Sequence, residues 1–227
     1  MQTEIEPYSI IWKNWTVRLR HPKDPTRASK VVLLLHGWTG DEFSMWIFTN
    51  QLPDNILLLA PRAPFKTDTT GFGWTETHHE GFATASDFSM VSDALIDRIQ
   101  ALISSLNLPT LPINLIGFSQ GAALSYYLAA SYPDQIGKVA CLAGFLPNGI
   151  EPIIENGLLA EKEFFIAHGT QDETVPVSYA REAAQKLQDG NARLIYCEDN
   201  TGHKLGASCF RGLNAFIKSI PEYDYRP

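Results

Sequence analysis

The chain has 227 residues, 44% hydrophobic and 19% charged, a length and balance that fit one folded domain with a sizeable core and exclude a disordered chain. The formal net charge of −7, with no run of Lys and Arg to track a phosphate backbone, argues against a nucleic-acid partner. The acidic opening Met1-Gln2-Thr3-Glu4-Ile5-Glu6 lacks the apolar run of a secretory signal, and no apolar stretch approaches the roughly 20 residues of a membrane span.

In chain order, residues 9–20 alternate in polarity around Lys13-Asn14 and predict an antiparallel edge hairpin. Near-continuous apolar runs follow at residues 31–35, 56–59, 113–116, 138–142, 164–167 and 194–197. Such runs suit strands covered on both faces. Between them lie helical patterns. Val91, Leu95, Ile99, Leu102 and Leu106 recur at helical spacing ahead of Pro109, and further helices are predicted over 122–131, 179–188 and 208–218. The alternation predicts an α/β fold, a mostly parallel central sheet with helices on both faces. No repeat, low-complexity tract or linker divides it, so residues 1–227 read as one domain. Two stretches, 61–84 and 145–160, are long for connections, and long loops in compact domains are often functional.

The three cysteines show no C-x-x-C spacing. Cys141 and Cys197 sit in apolar runs and are expected as buried thiols, and Cys209 falls in the last predicted helix. Free thiols point to a reducing, cytoplasmic setting.

Gly117-Phe118-Ser119-Gln120-Gly121 follows a predicted buried strand and precedes a predicted helix. A serine at a sharp strand-to-helix turn holds its hydroxyl above the sheet, and the free N–H groups of the helix start favour developing negative charge there. A serine hydroxyl needs a base, which in turn needs an acid to orient it, in the chain order Ser, Asp or Glu, His. Of six histidines only His168 and His203 lie downstream of Ser119. His203 follows the last strand beside Gly202 and is the candidate base. His168 directly precedes the candidate acid and is better placed to order the loop around Gly169. Asp172 is the candidate acid, ahead of Glu173, expected to be solvated, and Asp199, expected to be a turn residue. The oxyanion of an acyl-transfer intermediate requires two N–H donors, and the backbones of Gln120 and Trp38 are the candidates. His36, upstream of the nucleophile, is expected to be structural.

Together, Leu35-His36-Gly37, Ala60-Pro61-Arg62-Ala63-Pro64, the G-x-S-x-G segment, His168-Gly169-x-x-Asp172-x-x-Val175-Pro176 and Gly202-His203 resemble the phospholipase/carboxylesterase family, from about Val31 to about Lys218. That family includes bacterial carboxylesterases and acyl-protein thioesterases. The resemblance implies an α/β-hydrolase core without a large cap domain, hydrolysis of small-molecule acyl esters or thioesters, and no metal or organic cofactor. By position it also supports Ser119, Asp172 and His203 as a triad and Trp38 and Gln120 as oxyanion donors.

Outside these motifs, Gly71-Phe72-Gly73-Trp74 places large aromatics among glycines, as in a flap lining a pocket. Trp74, Phe72 and Phe145 are the candidate substrate-binding residues. The neighbouring His78 and His79, with Glu76 and Glu80, lack the helix context of a metal site, so no metal is expected. Two rival functions share this fold: a catalytically silent binding module and an amide-cleaving peptidase.

Overall fold

The structure, a computed structural model, describes residues 6–23, 30–76, 82–108, 111–155 and 157–221. The strands are β1 (Tyr8–Trp12), β2 (Trp15–Arg20), β3 (Lys30–Leu35), β4 (Ile56–Pro61), β5 (Phe65–Lys66), β6 (Phe72–Gly73), β7 (Ile113–Phe118), β8 (Ile136–Leu142), β9 (Glu163–Gly169) and β10 (Arg193–Asp199). The helices are α1 (Ala85–Ser105), α2 (Gln120–Ser131), α3 (Glu151–Glu155), α4 (Val177–Asp189) and α5 (Ala207–Lys218). Eight strands form one sheet in the order β1-β2-β4-β3-β7-β8-β9-β10.

The hairpin β1–β2 turns at Lys13 and Asn14, both with positive φ, a turn whose twist matches that of the strands it joins. It lies antiparallel against β4, while along the sheet order β4-β3-β7-β8-β9-β10 every pairing is parallel.

Strand side chains alternate between two apolar layers. Leu33, Leu35, Leu57, Leu59, Leu115 and Val139 face the layer built with α1, α2 and α4. Val32, Leu34, Leu58, Ile116 and Ala140 face α5 and the short turn Trp46–Phe48. α1 starts at a capping box, with Thr84 N donating to Asp87 Oδ2 at 2.7 Å. α2 is buried at every residue except Tyr127 and Ser131. The mostly parallel sheet, helices on both faces and hairpin match the expected architecture, and among the described residues no large cap covers the carboxyl edge of the sheet.

The structure departs from the expectations at three places. Residues 194–197 do form a strand, but β10 is the sheet's edge, with Ile195 52% exposed, rather than a strand covered on both faces. Cys197 and Cys209 are joined in a disulfide between β10 and α5, and only Cys141 remains a buried free thiol. This corrects the expectation of reduced cysteines and removes the basis for reading a reducing compartment from them. The long stretches are also partly ordered: 61–84 contains the two-stranded ribbon β5–β6, and 145–160 contains α3. Pro109 lies outside the described residues. Among the described residues no helix is long and apolar enough to cross a membrane.

Candidate active site

The turn from β7 into α2 places Ser119 at φ 54° and ψ −116°, a conformation that a non-glycine residue holds only when its surroundings enforce it. The enforcement is visible. Ser119 N donates to Leu142 O at 2.9 Å, and Ser119 O accepts from Ala122 N and Ala123 N at 3.0 and 3.1 Å. Space forces glycine at Gly121, where a Cβ would stand 2.1 Å from Leu35 O. The helix start therefore presses against the end of β3, beside the loop carrying Gly37 and Trp38. A Cβ on Gly37 would lie 3.2 Å from Ser119 Cβ.

Asp172 sits in the turn after β9, its side chain fully buried. Its Oδ1 accepts from the backbone N–H groups of Thr174 and Val175, both at 2.9 Å. Its Oδ2 lies 2.7 Å from His203 Nδ1. A carboxylate only accepts, so Nδ1 carries the proton and Nε2 is the basic nitrogen. The loops that carry Asp172 and His203 are joined through Thr170 N to Asp199 O and Gln171 N to Thr201 O, both at 2.9 Å. The His203 ring lies 5.0 Å, centroid to centroid, from Phe118, the residue before Ser119. Its side chain keeps 23% exposure, enough to meet a ligand.

The neighbouring groups also take defined places. Asp199 Oδ2 accepts from Cys209 N at 2.9 Å, in the first turn of α5, while Glu173 is exposed. His36 uses both nitrogens: Nδ1 donates to Gly37 O at 2.7 Å and Nε2 accepts from Ala63 N at 3.0 Å. Burial pushes its pKa down and keeps it neutral, as suits a structural residue. His168 is likewise depressed by burial, its Nε2 2.7 Å from Val175 O.

The loop bearing Trp38 is pinned by buried Glu42, which accepts from Arg62 Nε and Nη2 at 2.6 and 2.7 Å. The Arg62 guanidinium lies 4.7 Å over the Phe72 ring. Gln120 has a role the sequence reading missed. Its side-chain Oε1 accepts from Trp74 N and its Nε2 donates to Thr75 Oγ1, both at 2.9 Å. The residue after Ser119 thus ties the β6 loop to the turn between β7 and α2. Its only sequence trace is a long amide where a small side chain would suffice.

The three candidate substrate-binding aromatics are not alike. Trp74 is wholly buried, its Nε1 donating to His36 O at 2.7 Å and its ring tilted against His36 and Trp15. Phe72 is half-buried. Phe145 is buried under Phe82, which stacks on it at 4.3 Å and meets Tyr179 edge-on at 4.6 Å. Next to Phe145, a Cβ on Gly144 would lie 3.2 Å from Ser119 O. His78, His79 and Glu80 lie outside the described residues. Among the described residues, Cys197, Asp199 and Cys209 cluster within metal-ligand distance, but the two sulfurs are bonded to each other.

A family model described as Phospholipase/Carboxylesterase matches residues 19–221. Acyl-protein thioesterase 1 of Candida albicans is 28% identical over 227 residues, covering 90% of this chain and 97% of that protein. The protein of the same name from Debaryomyces hansenii is 29% identical over 180 residues, 71% of this chain and 77% of its own. Among solved structures, the Bacillus cereus carboxylesterase superposes with a TM-score of 0.77 at 19% identity, covering 91% of this chain and 94% of that one. A carboxylesterase from Mesorhizobium loti gives 0.75 at 17% identity over 93% and 99%. These likenesses establish the α/β-hydrolase fold, and the extent of the family match establishes that the chain belongs to the phospholipase/carboxylesterase family.

Proposed function

We propose that the chain is a serine hydrolase that cleaves small-molecule carboxylic esters or thioesters through an acyl-enzyme on Ser119. The observation that carries this reading is the 2.7 Å contact of His203 Nδ1 with buried Asp172, its imidazole packed on the residue that precedes the strained Ser119. His203 Nε2 takes the hydroxyl proton as Ser119 Oγ attacks the acyl carbon. The backbone N–H groups of Trp38 and Gln120 receive the negative charge that develops on the carbonyl oxygen. The leaving alcohol or thiol departs with the proton from His203. Water then attacks the acyl-enzyme, gives a proton to His203, and the serine leaves with that proton. Every proton has a carrier among these side chains, so the cycle requires no cofactor.

Phe72 and Phe145 flank the acyl group in this reading, with Trp74 acting from behind through the Gln120 tie. With no large cap among the described residues, the site is read as open and favours short or medium acyl chains. The acyl-protein thioesterase relatives make thioesters the first alternative to oxygen esters. The test is labelling by a fluorophosphonate probe together with p-nitrophenyl esters and acyl thioesters of graded length. Ser119 should label, and Ser119→Ala should lose about four to six orders of magnitude in turnover with the fold retained. An unlabelled, correctly folded chain is a binding module instead, and a markedly higher kcat/KM on long-chain substrates overturns the acyl-length assignment.

A further inference from the structure

A second histidine stands against the acid. His168, the penultimate residue of β9, has no exposed side-chain surface, and its Nε2 lies 2.7 Å from Val175 O and 3.3 Å from Asp172 Oδ2. A carbonyl oxygen only accepts, so Nε2 carries the proton. The other nitrogen, Nδ1, is buried without a hydrogen-bond partner, and because burial disfavours the charged ring its single proton is the one on Nε2. The ring is therefore a neutral Nε2–H donor. Its bond to Val175 closes a circuit, because Val175 N donates back to Asp172 Oδ1.

We propose that His168 is a positioning residue for the reaction. Its Nε2–H holds Val175 O beside Asp172 Oδ2, while the backbone donors hold Oδ1, and so fixes Oδ2 at the point where His203 Nδ1 meets it. The proposal rests on the triad reading above and adds a residue to it. His168 touches neither substrate nor nucleophile and acts only through the acid. An orphaned, buried Nδ1 is a cost that packing alone does not require, since a phenyl ring would fill the same space without it. The N–H is what the site retains.

The charged and titratable groups that face His168 are Asp172, His203 and Glu198. Glu198 is held by Arg181 at 2.8 Å on both carboxylate oxygens.

The test compares His168→Phe, which keeps a planar ring without the N–H, with His168→Gln, whose amide carries N–H groups to about the same reach. The readouts are kcat and KM on a p-nitrophenyl ester and the downfield proton resonance of the His203 Nδ1–H. His168→Phe should lower kcat on the order of ten- to a hundredfold while KM holds, because a small misplacement of a catalytic group costs rate rather than binding. The His203 resonance should move upfield or broaden in the same variant. His168→Gln should restore both. Wild-type kcat and an unmoved resonance in His168→Phe overturn the proposal, as does a Gln variant no better than Phe. If His168→Phe does not fold, nitrogen-15 spectra of the unaltered protein decide. His168 should remain the neutral Nε2–H tautomer across the pH range of activity, and a protonated Nδ1 refutes the assignment. Absence of Ser119-dependent hydrolysis in the unaltered protein is a separate failure, of the function itself, and leaves the tautomer and resonance measurements readable.

Discussion

Gly169, where β9 leads into the turn of Asp172, and Gly202, in the loop of His203, meet backbone to backbone: a Cβ on Gly169 would stand 2.2 Å from the carbonyl oxygens of both Gly202 and Thr201. The imidazole and the carboxylate reach each other because no side chain separates these two loops. Gly169→Ala must push the base loop outward. We expect a loss of about 1–3 kcal/mol in stability from the overpacking. A fall in kcat on the order of a hundredfold should accompany it, since the base moves relative to Ser119. Thermal unfolding and steady-state kinetics on the same preparation check both; unchanged kcat would show that the loops adjust independently of the base.

Gln120→Leu keeps the shape of the side chain and the backbone N–H but removes the tie to the β6 loop. The Trp74 N–H, buried and paired with Gln120 Oε1, loses its acceptor. Stability should drop by about 1–3 kcal/mol, the cost of a stranded buried donor. KM should rise while kcat stays within about tenfold, in contrast to loss of the nucleophile. A variant as inactive as Ser119→Ala would place the amide itself in the chemistry.

The disulfide Cys197–Cys209 spans 12 residues and encloses the base loop. Closing a loop of this size restricts the unfolded chain, and its loss costs about 2–4 kcal/mol. A thermal melt in the presence of a strong thiol reductant should therefore shift down, and Cys209→Ser should melt at the reduced position with or without reductant. Identical melts in both conditions would show that the bridge is not formed in solution.

Arg181 and Tyr196 together hold Glu198, whose pKa is pushed from its ordinary 4.5 down to about 2, chiefly by the Arg181 hydrogen bonds. A carboxyl with a depressed folded pKa stabilises the fold above its ordinary pKa and loses that contribution as pH falls through the depressed one. The window here runs from about 4.5 down to about 2. The pair is exposed and screened by salt, so the effect is small. Arg181→Ala should lower the melt slightly near pH 7 and converge with the unaltered protein as pH falls toward 2, so that its decline across that window is the shallower.

Much of the architecture was legible because the parallel strands are continuous apolar runs and the elbow pairs glycines with a serine at a strand end. The hairpin was readable from the alternation of residues 9–20 around Lys13-Asn14, and of the two only Asn14 is a type that readily takes the positive φ both adopt. The exposure of β10 was not, because Leu194-Ile195-Tyr196-Cys197 reads like any covered strand and its place in the sheet order depends on contacts distant in sequence. The disulfide escaped for the same reason: Cys197 and Cys209 meet only once α5 has packed beside β10. Trp74 among glycines resembled a flap residue, yet the acceptor for its indole, His36 O, lies 38 residues away and draws it wholly inside. In the candidate site, the residues proposed to carry the chemistry stood out by type and order. Those that hold them, Glu42, Arg62 and the Gln120 side chain, did not, because their partners come from other loops.

The helix that Ser119 heads has almost no wet side, since α2 is buried from Gln120 to Tyr126 and again from Leu128 to Ala130. A helix in that situation tolerates neither bulk nor charge on any face. Random mutagenesis of the gene should therefore yield a dense band of inactive clones just downstream of Ser119, nearly all of them misfolded. Tyr127 and Ser131 are the gaps where substitutions should be tolerated.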